Sequence, residues 1–277
     1  MSICTVCPRR CSVDRSKERG YCKAPNGAVV SSAMLHTGEE SIISGYRGSG
    51  TVFFAGCNLG CVFCQNYDIS QSCDGAVVTV SELSDVFMNL EKRGAHNINL
   101  VTPGHFVPPI SEAIRLAKGK GIQIPFVYNT NGYDALLSLE LMDGLIDIYM
   151  PDLKYADDAL GQRYSDVPDY FTVAQAALRE MYRQVGDPAI EHGVMQKGVL
   201  IRHLAMPGLS EDSMRVLDWI KTYLPTAVIN LMDQYRPSYR AMEYAEINRR
   251  PTYSEFQQVS DYFSELGLKD CNSLRLR

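Results

Sequence analysis

The sequence predicts an α/β fold made of successive βα units, and three observations lead to that reading. After a glycine-rich turn at 45–50, short β-branched or aliphatic runs of strand length recur six times. Stretches with apolar residues at helical spacing lie between them, the alternation expected of a parallel sheet with crossover helices. A polar or glycine-containing segment follows every run, as it should where functional loops gather at the carboxyl ends of parallel strands. On the residues alone, the six units either curl into a partial barrel or lie flat in a doubly wound sheet.

The chain opens on Cys4, Cys7, Cys11 and Cys22, spaced Cys-x2-Cys-x3-Cys-x10-Cys among prolines and basic residues. This segment has too few large apolar side chains to bury a core, so a metal staple is the natural way to fold it. The spacing leaves zinc and an auxiliary iron–sulfur cluster as alternatives. We expect residues 1–45 to form this small cysteine-rich unit, with an edge hairpin through Ala33-Met34-Leu35-His36, and residues 46–277 to form the βα domain with a C-terminal helix.

Within that domain the expected strands are 51–55, 98–101, 124–128, 146–150, 198–203 and 227–232. The first helix, 81–93, takes Ser81 as its N-cap and puts Leu83, Val86, Phe87 and Leu90 on one face. Helices at 110–118, 135–142, 170–185 and 212–223 follow the same pattern. A last one at 254–266 carries Phe256, Val259, Phe263 and Leu266 at helical spacing.

The segments after the strands hold the chemistry. Cys57 follows the first, Thr102-Pro103-Gly104-His105 the second, Asn129-Thr130-Asn131-Gly132 the third and Pro151-Asp152-Leu153-Lys154 the fourth. Met206-Pro207-Gly208 follows the fifth and Asp233-Gln234-Tyr235-Arg236 the sixth, so a polar rim surrounds one mouth. Strand alternation allows only one of Arg202 and His203 to face inward, and His203 is the expected one.

Composition narrows the function classes. A formal net charge of -5 argues against a general nucleic-acid binder, which needs a basic surface. No stretch is apolar for long enough to span a bilayer and the start shows no leader-like run, so we expect a cytoplasmic protein with neither membrane nor nucleic acid as partner. Nine cysteines, mostly clustered, read as metal ligands rather than disulfides. Cys73 and Cys271 stand alone and read as small buried hydrophobes.

Cys57-x3-Cys61-x2-Cys64 puts three thiols within eight residues, with Gly56 and Gly60 to let the backbone wrap. A cubane [4Fe-4S] cluster normally takes four thiolates, so three leave one iron open to another ligand. Cysteine-held iron also implies an anaerobic setting.

With Phe63 before the last thiol and a strand directly before the loop, this motif resembles the signature of the radical S-adenosylmethionine (SAM) superfamily. The strand-end segments over roughly residues 50–240 are most similar to the branch of pyruvate formate-lyase activating enzyme and its uncharacterised relatives. The resemblance implies a partial (βα)6 barrel in which Cys57, Cys61 and Cys64 hold a [4Fe-4S] cluster, with SAM on the fourth iron. It implies reductive cleavage of SAM to a 5'-deoxyadenosyl radical, which abstracts hydrogen from a substrate, with flavodoxin or ferredoxin as the reducing partner.

The carry-over is residue by residue. Phe63, Thr102, Gly104, Asn129, Asn131, Asp152, Lys154, His203 and Gln234 are the expected cofactor contacts. Where the family has Gly-Gly-Glu-Pro this chain has Thr102-Pro103-Gly104-His105, without an acid. The SAM ammonium then falls to the Thr102 hydroxyl, to carbonyls near Gly104, or to a residue elsewhere. His105 is left either as a proton donor or substrate contact, or as a plain hydrogen-bonding residue. Asn129 stands where the family has an aspartate. A protein or peptide is one substrate class, activation of a glycyl-radical enzyme is a second reading, and a non-catalytic iron–sulfur electron carrier is a third.

Overall fold

The computed structural model describes residues 3–274; the outermost residues of the two expected domains, 1–2 and 275–277, lie outside the described residues. After the cysteine-rich start come β1 (Ala28–His36), α1 (Ser41–Ser44), β2 (Ser49–Phe54), α2 (Tyr67–Ser72), β3 (Ala76–Val78), α3 (Val80–Lys92), β4 (Ile98–Val101), α4 (Val107–Gly119), β5 (Phe126–Thr130) and α5 (Leu136–Met142). The second half carries β6 (Ile148–Pro151), α6 (Asp158–Ser165), α7 (Tyr170–Val185), β7 (Ala189–Glu191), β8 (Val194–Leu204), α8 (Ser210–Tyr223), β9 (Val228–Met232), α9 (Tyr253–Glu265) and β10 (Lys269–Asp270).

The six expected strands are β2, β4, β5, β6, β8 and β9, neighbours in that order and each parallel to the next. Helices follow β4, β5, β6 and β8, so the architecture is the mixed α/β fold with a parallel sheet that the alternation predicts. β1 pairs antiparallel with β2, and β3 with β1, so residues 28–36 of the expected N-terminal unit join the sheet of the rest.

Strand alternation divides the core in two. Leu100, Phe126, Tyr128, Tyr149, Val199, Ile201 and Ile229 pack with the helices in the larger cluster. Val127, Ile148, Met150, Leu200 and Val228 point the other way and meet Ile42, Ile43 and Cys271. α1 is therefore a plug against the inner face, and Asn230 of β9 donates to Glu40 just before it (2.9 Å). This tie links the segment after β1 to the far end of the sheet.

Most element boundaries shift by a few residues from expectation, and the start of α3 shows one cause. α3 is capped by Thr79, not Ser81: Thr79 Oγ1 accepts from the Glu82 amide, and the Glu82 carboxylate accepts from the Thr79 amide. This reciprocal box satisfies two amides that a cap at Ser81 would leave to the preceding turn. No helix among the described residues is long and apolar enough to cross a membrane.

Candidate active site

A cavity of about 320 Å³ opens at the carboxyl ends of the parallel strands, and Cys57, Cys61 and Cys64 all line it. The loop carrying them is held backbone to backbone: the Gly60 amide donates to Ser165 O (3.0 Å) and the Val62 amide to Tyr164 O (2.9 Å). Gly56 has φ +79 and lies so close to Cys22 O that a Cβ would collide with it. Cys57 Sγ receives the Leu59 amide and Asn131 Nδ2, both at 3.4 Å. Cys61 Sγ lies 3.1 Å from Ser165 Oγ and Cys64 Sγ 3.3 Å from Ser70 Oγ.

Burial pushes the Cys57 thiol up to about 12, helped by Cys61. Burial also raises Cys61, against the pull of Lys154. Metal binding at these thiols therefore displaces protons and is favoured by alkaline conditions.

Opposite the thiols runs a chain of charges. Lys154 Nζ donates to Asp152 Oδ2 (2.6 Å), Arg202 Nε to Asp152 Oδ1 (2.9 Å), and Arg202 Nη2 to Asn129 Oδ1 (2.8 Å). Burial opposes the Asp152 carboxylate, but Arg202 and Lys154 together hold it below the usual range. Lys154 is raised: burial works against its charge, and Asp152 and Cys61 outweigh it. The third-strand motif is built around Gly132, at φ +81, where a Cβ would strike Asp152 O and Tyr170 Oη. Tyr170 Oη in turn bonds Asn131 O (2.8 Å) and receives the Lys154 amide (3.0 Å). Thr102 sits at φ +59, a strained conformation for a β-branched residue, on the cavity rim.

Of the expected cofactor contacts, Phe63, Thr102, Asn129, Asn131, Asp152, Lys154 and Gln234 line the cavity with the three thiols. Two do not. His203 faces away, its Nδ1 on Leu153 O (2.7 Å) and Nε2 on Ser213 Oγ (2.8 Å), and Arg202 takes the inward position. Alternation lets one of the two face in, and the ion pair available to Arg202 decides which side chain turns in. Gly104 packs against Asp134 rather than the cavity. His105 is fully buried with Nε2 2.9 Å from Ala55 O, the hydrogen-bonding alternative; burial lowers it to about 4.

Sequence reasoning missed three participants. Asn58 is 2% exposed, donates to Tyr133 O (2.7 Å) and accepts from Asn131 Nδ2 (2.8 Å), so it fastens the thiol loop to the third strand end. Its place beside Cys57 was the available signal. Arg202 alternates with His203 along β8, and alternation alone does not say which of them faces in. Glu39 lines the cavity from outside the βα units, and no pattern announced it.

The N-terminal thiols form a second group against the back of the loop. Cys4, Cys7 and Cys22 are buried, and Cys7 feels Cys22, Cys11 and Cys4 as neighbours. Arg9, between Cys7 and Cys11, donates to Asn58 O (2.5 Å) and Asp166 O (2.7 Å) and stacks on Tyr21, 3.2 Å from the ring centre. Tyr21 Oη donates to Asp166 Oδ2 (2.7 Å). Among the described residues no three His, Cys, Asp or Glu side chains are gathered closely enough to hold a single metal ion.

Comparison with known proteins bears directly on this constellation. The family model of the radical SAM superfamily matches residues 51–220, from the first parallel strand through α8. The chain belongs to the radical SAM superfamily. An uncharacterized protein of Methanocaldococcus jannaschii is 33% identical over 273 residues, covering 96% of this chain and 75% of that protein. The pyruvate formate-lyase 1-activating enzyme of Escherichia coli K12 is 28% identical over 172 residues, 58% of this chain and 62% of that enzyme.

Solved structures share the radical SAM fold at low identity. Methylornithine synthase superposes with TM-score 0.53 at 16% identity, over 76% of this chain and 59% of that one. Streptococcus suis SuiB bound to its precursor peptide gives 0.52 at 12% identity, over 76% of this chain and 43% of that one. The chain thus spans about half the length of these two proteins. The radical SAM family implies a [4Fe-4S] cluster and SAM, and the donor set suits both. Three thiols share one cavity wall, and on a cubane each thiolate holds a different iron, so they need not converge on one point. Lys154 and the backbone rim offer donors for a carboxylate.

Proposed function

We propose that this protein is a radical SAM enzyme that cleaves SAM reductively and abstracts hydrogen from a protein or peptide substrate. The observation that carries the reading is the single cavity in which Cys57, Cys61 and Cys64 face Asp152, Lys154, Asn131 and Thr102. Cys57, Cys61 and Cys64 would hold a [4Fe-4S] cluster, which when bound would supply the electron for reductive cleavage of SAM to methionine and a 5'-deoxyadenosyl radical. The chain's own residues bind and orient. Lys154 is placed for the methionine carboxylate, the Asp152 carboxylate for the sulfonium side, and Phe63 and Gln234 for the adenosine.

Similarity to the E. coli activating enzyme supports a narrower second reading, activation of a glycyl-radical enzyme. Either reading needs a one-electron donor such as flavodoxin or ferredoxin. Of the two alternatives for Cys4, Cys7, Cys11 and Cys22, an auxiliary iron–sulfur cluster is the one proposed, supported by their mutual proximity in a segment with little other core, because a single zinc ion would need thiols gathered more closely than these are.

The test is spectroscopic. After anaerobic loading with iron and sulfide and reduction, adding SAM should change the electron paramagnetic resonance spectrum of the cluster. Lys154→Ala should keep the cluster signal and weaken SAM binding about tenfold or more, the scale of a lost charged hydrogen bond. A loaded wild-type cluster that ignores SAM contradicts the proposal.

A further inference from the structure

Next to the thiol cavity lies a second chamber of about 560 Å³, and the two share Glu39, Arg202, Met232 and Gln234 as walls. The remaining wall comes from the segment around α1, from the end of β9 and from the C-terminal turn. Its charge is one-sided. Among the described residues, Glu39, Glu40 and Asp233 line it, and the cation on its wall, Arg202, is already committed to Asp152 and Asn129. Glu39 has no hydrogen bond or ion pair among the described residues.

Two buried wall atoms have no hydrogen-bond partner among the described residues. Glu40 Oε1 accepts from Asn230, while Oε2 is buried with no donor. Ser44, 2% exposed, has an unpaired hydroxyl. Buried polar atoms are paired as a rule, so an acceptor carboxylate and a hydroxyl left open on one chamber wall call for a donor from outside the chain. A partner with several N–H groups and a positive charge answers both the open acceptors and the acids, which Arg202 balances only in part while bound to Asp152.

Resting on the proposed radical chemistry, we propose that this chamber is the substrate subsite and takes an alkyl ammonium or guanidinium group, held by Glu39 and Glu40. The group enters beside the α1 plug and is anchored there. The carbon chain bearing it then crosses the shared wall toward the thiol cavity. Substrates with a cationic arm are favoured over neutral ones of the same shape.

The experiment uses the full chain, loaded with cluster and SAM under anaerobic conditions, and follows binding by ligand-observed NMR. The probes are n-butylamine, Nα-acetyl-lysine methylamide and the neutral isostere 1-butanol. Both amines should bind and 1-butanol should not. A preference for the lysine derivative assigns the arm to a peptide side chain, and equal binding assigns it to a free amine. The double variant Glu39→Gln/Glu40→Gln should weaken the amines about tenfold or more, the loss expected of charge-assisted bonds. Ser44→Ala, a gentler change, should weaken them about threefold, within the range of one neutral bond. Butanol binding as well as butylamine, no probe binding at all, or unchanged binding in a folded double variant overturns the proposal. The binding readout does not depend on turnover, so amine binding without SAM cleavage would instead count against the radical reading.

Discussion

Asp134 has the clearest pH signature of any single residue. It is 3% exposed and accepts from Tyr128 Oη (2.8 Å) and Thr130 Oγ1 (2.5 Å) behind the third strand end. Burial pushes its carboxyl up to about 6, although both hydroxyls favour the charged form. A folded pKa above the unfolded value means the native state binds the proton more tightly. Its contribution is therefore fully present below about pH 4 and lost as pH rises to about 6, by roughly 3 kcal/mol at 1.4 kcal/mol per unit. Asp134→Asn should remove that slope from the denaturant-unfolding free energy between these pH values. An unchanged slope would place the carboxyl in a wetter setting than the structure gives it.

Elements act on the site through their ends. The reciprocal cap at the start of α3 should contribute about 1 kcal/mol, so Thr79→Ala should lower the unfolding free energy by that amount and leave SAM chemistry untouched. The N-terminal segment is a different case. Arg9 and Tyr21 bridge Asn58 O to the 164–166 segment, the same segment that receives the backbone bonds of Gly60 and Val62. Arg9→Ala should raise amide hydrogen exchange across 57–64 in the cluster-free protein about tenfold or more, while exchange in α7 stays as it was. Equal exchange in variant and wild type would show that the loop holds itself. Strand and helix patterns could not reveal this contact, because Arg9 and Asn58 are 49 residues apart and neither lies in a periodic element.

At the scale of the molecule, what the sequence made legible was what repeats. Apolar runs and helical spacing located the six parallel strands and their main helices, with α7 at 170–185 matching to the residue. The thiol spacing and the strand-end polar segments located most of the cavity wall. What stayed hidden depends on long-range choice. Arg202 turns inward because Asp152 and Asn129 wait for it, and Glu39 enters from a segment that the pairing of β1 with β2 and the Asn230–Glu40 bond bring near. The same pairing makes α1 a plug, which a four-residue helix could never announce by periodicity.

The central claim, that the three-thiol cavity supports reductive cleavage of SAM, has one direct measurement. Anaerobically loaded, reduced protein is incubated with SAM and the products are separated by chromatography. 5'-Deoxyadenosine and methionine should form in equal amounts, and both should be lost on Cys57→Ala, Cys61→Ala or Cys64→Ala. Absence of 5'-deoxyadenosine from fully loaded wild-type protein would contradict the claim.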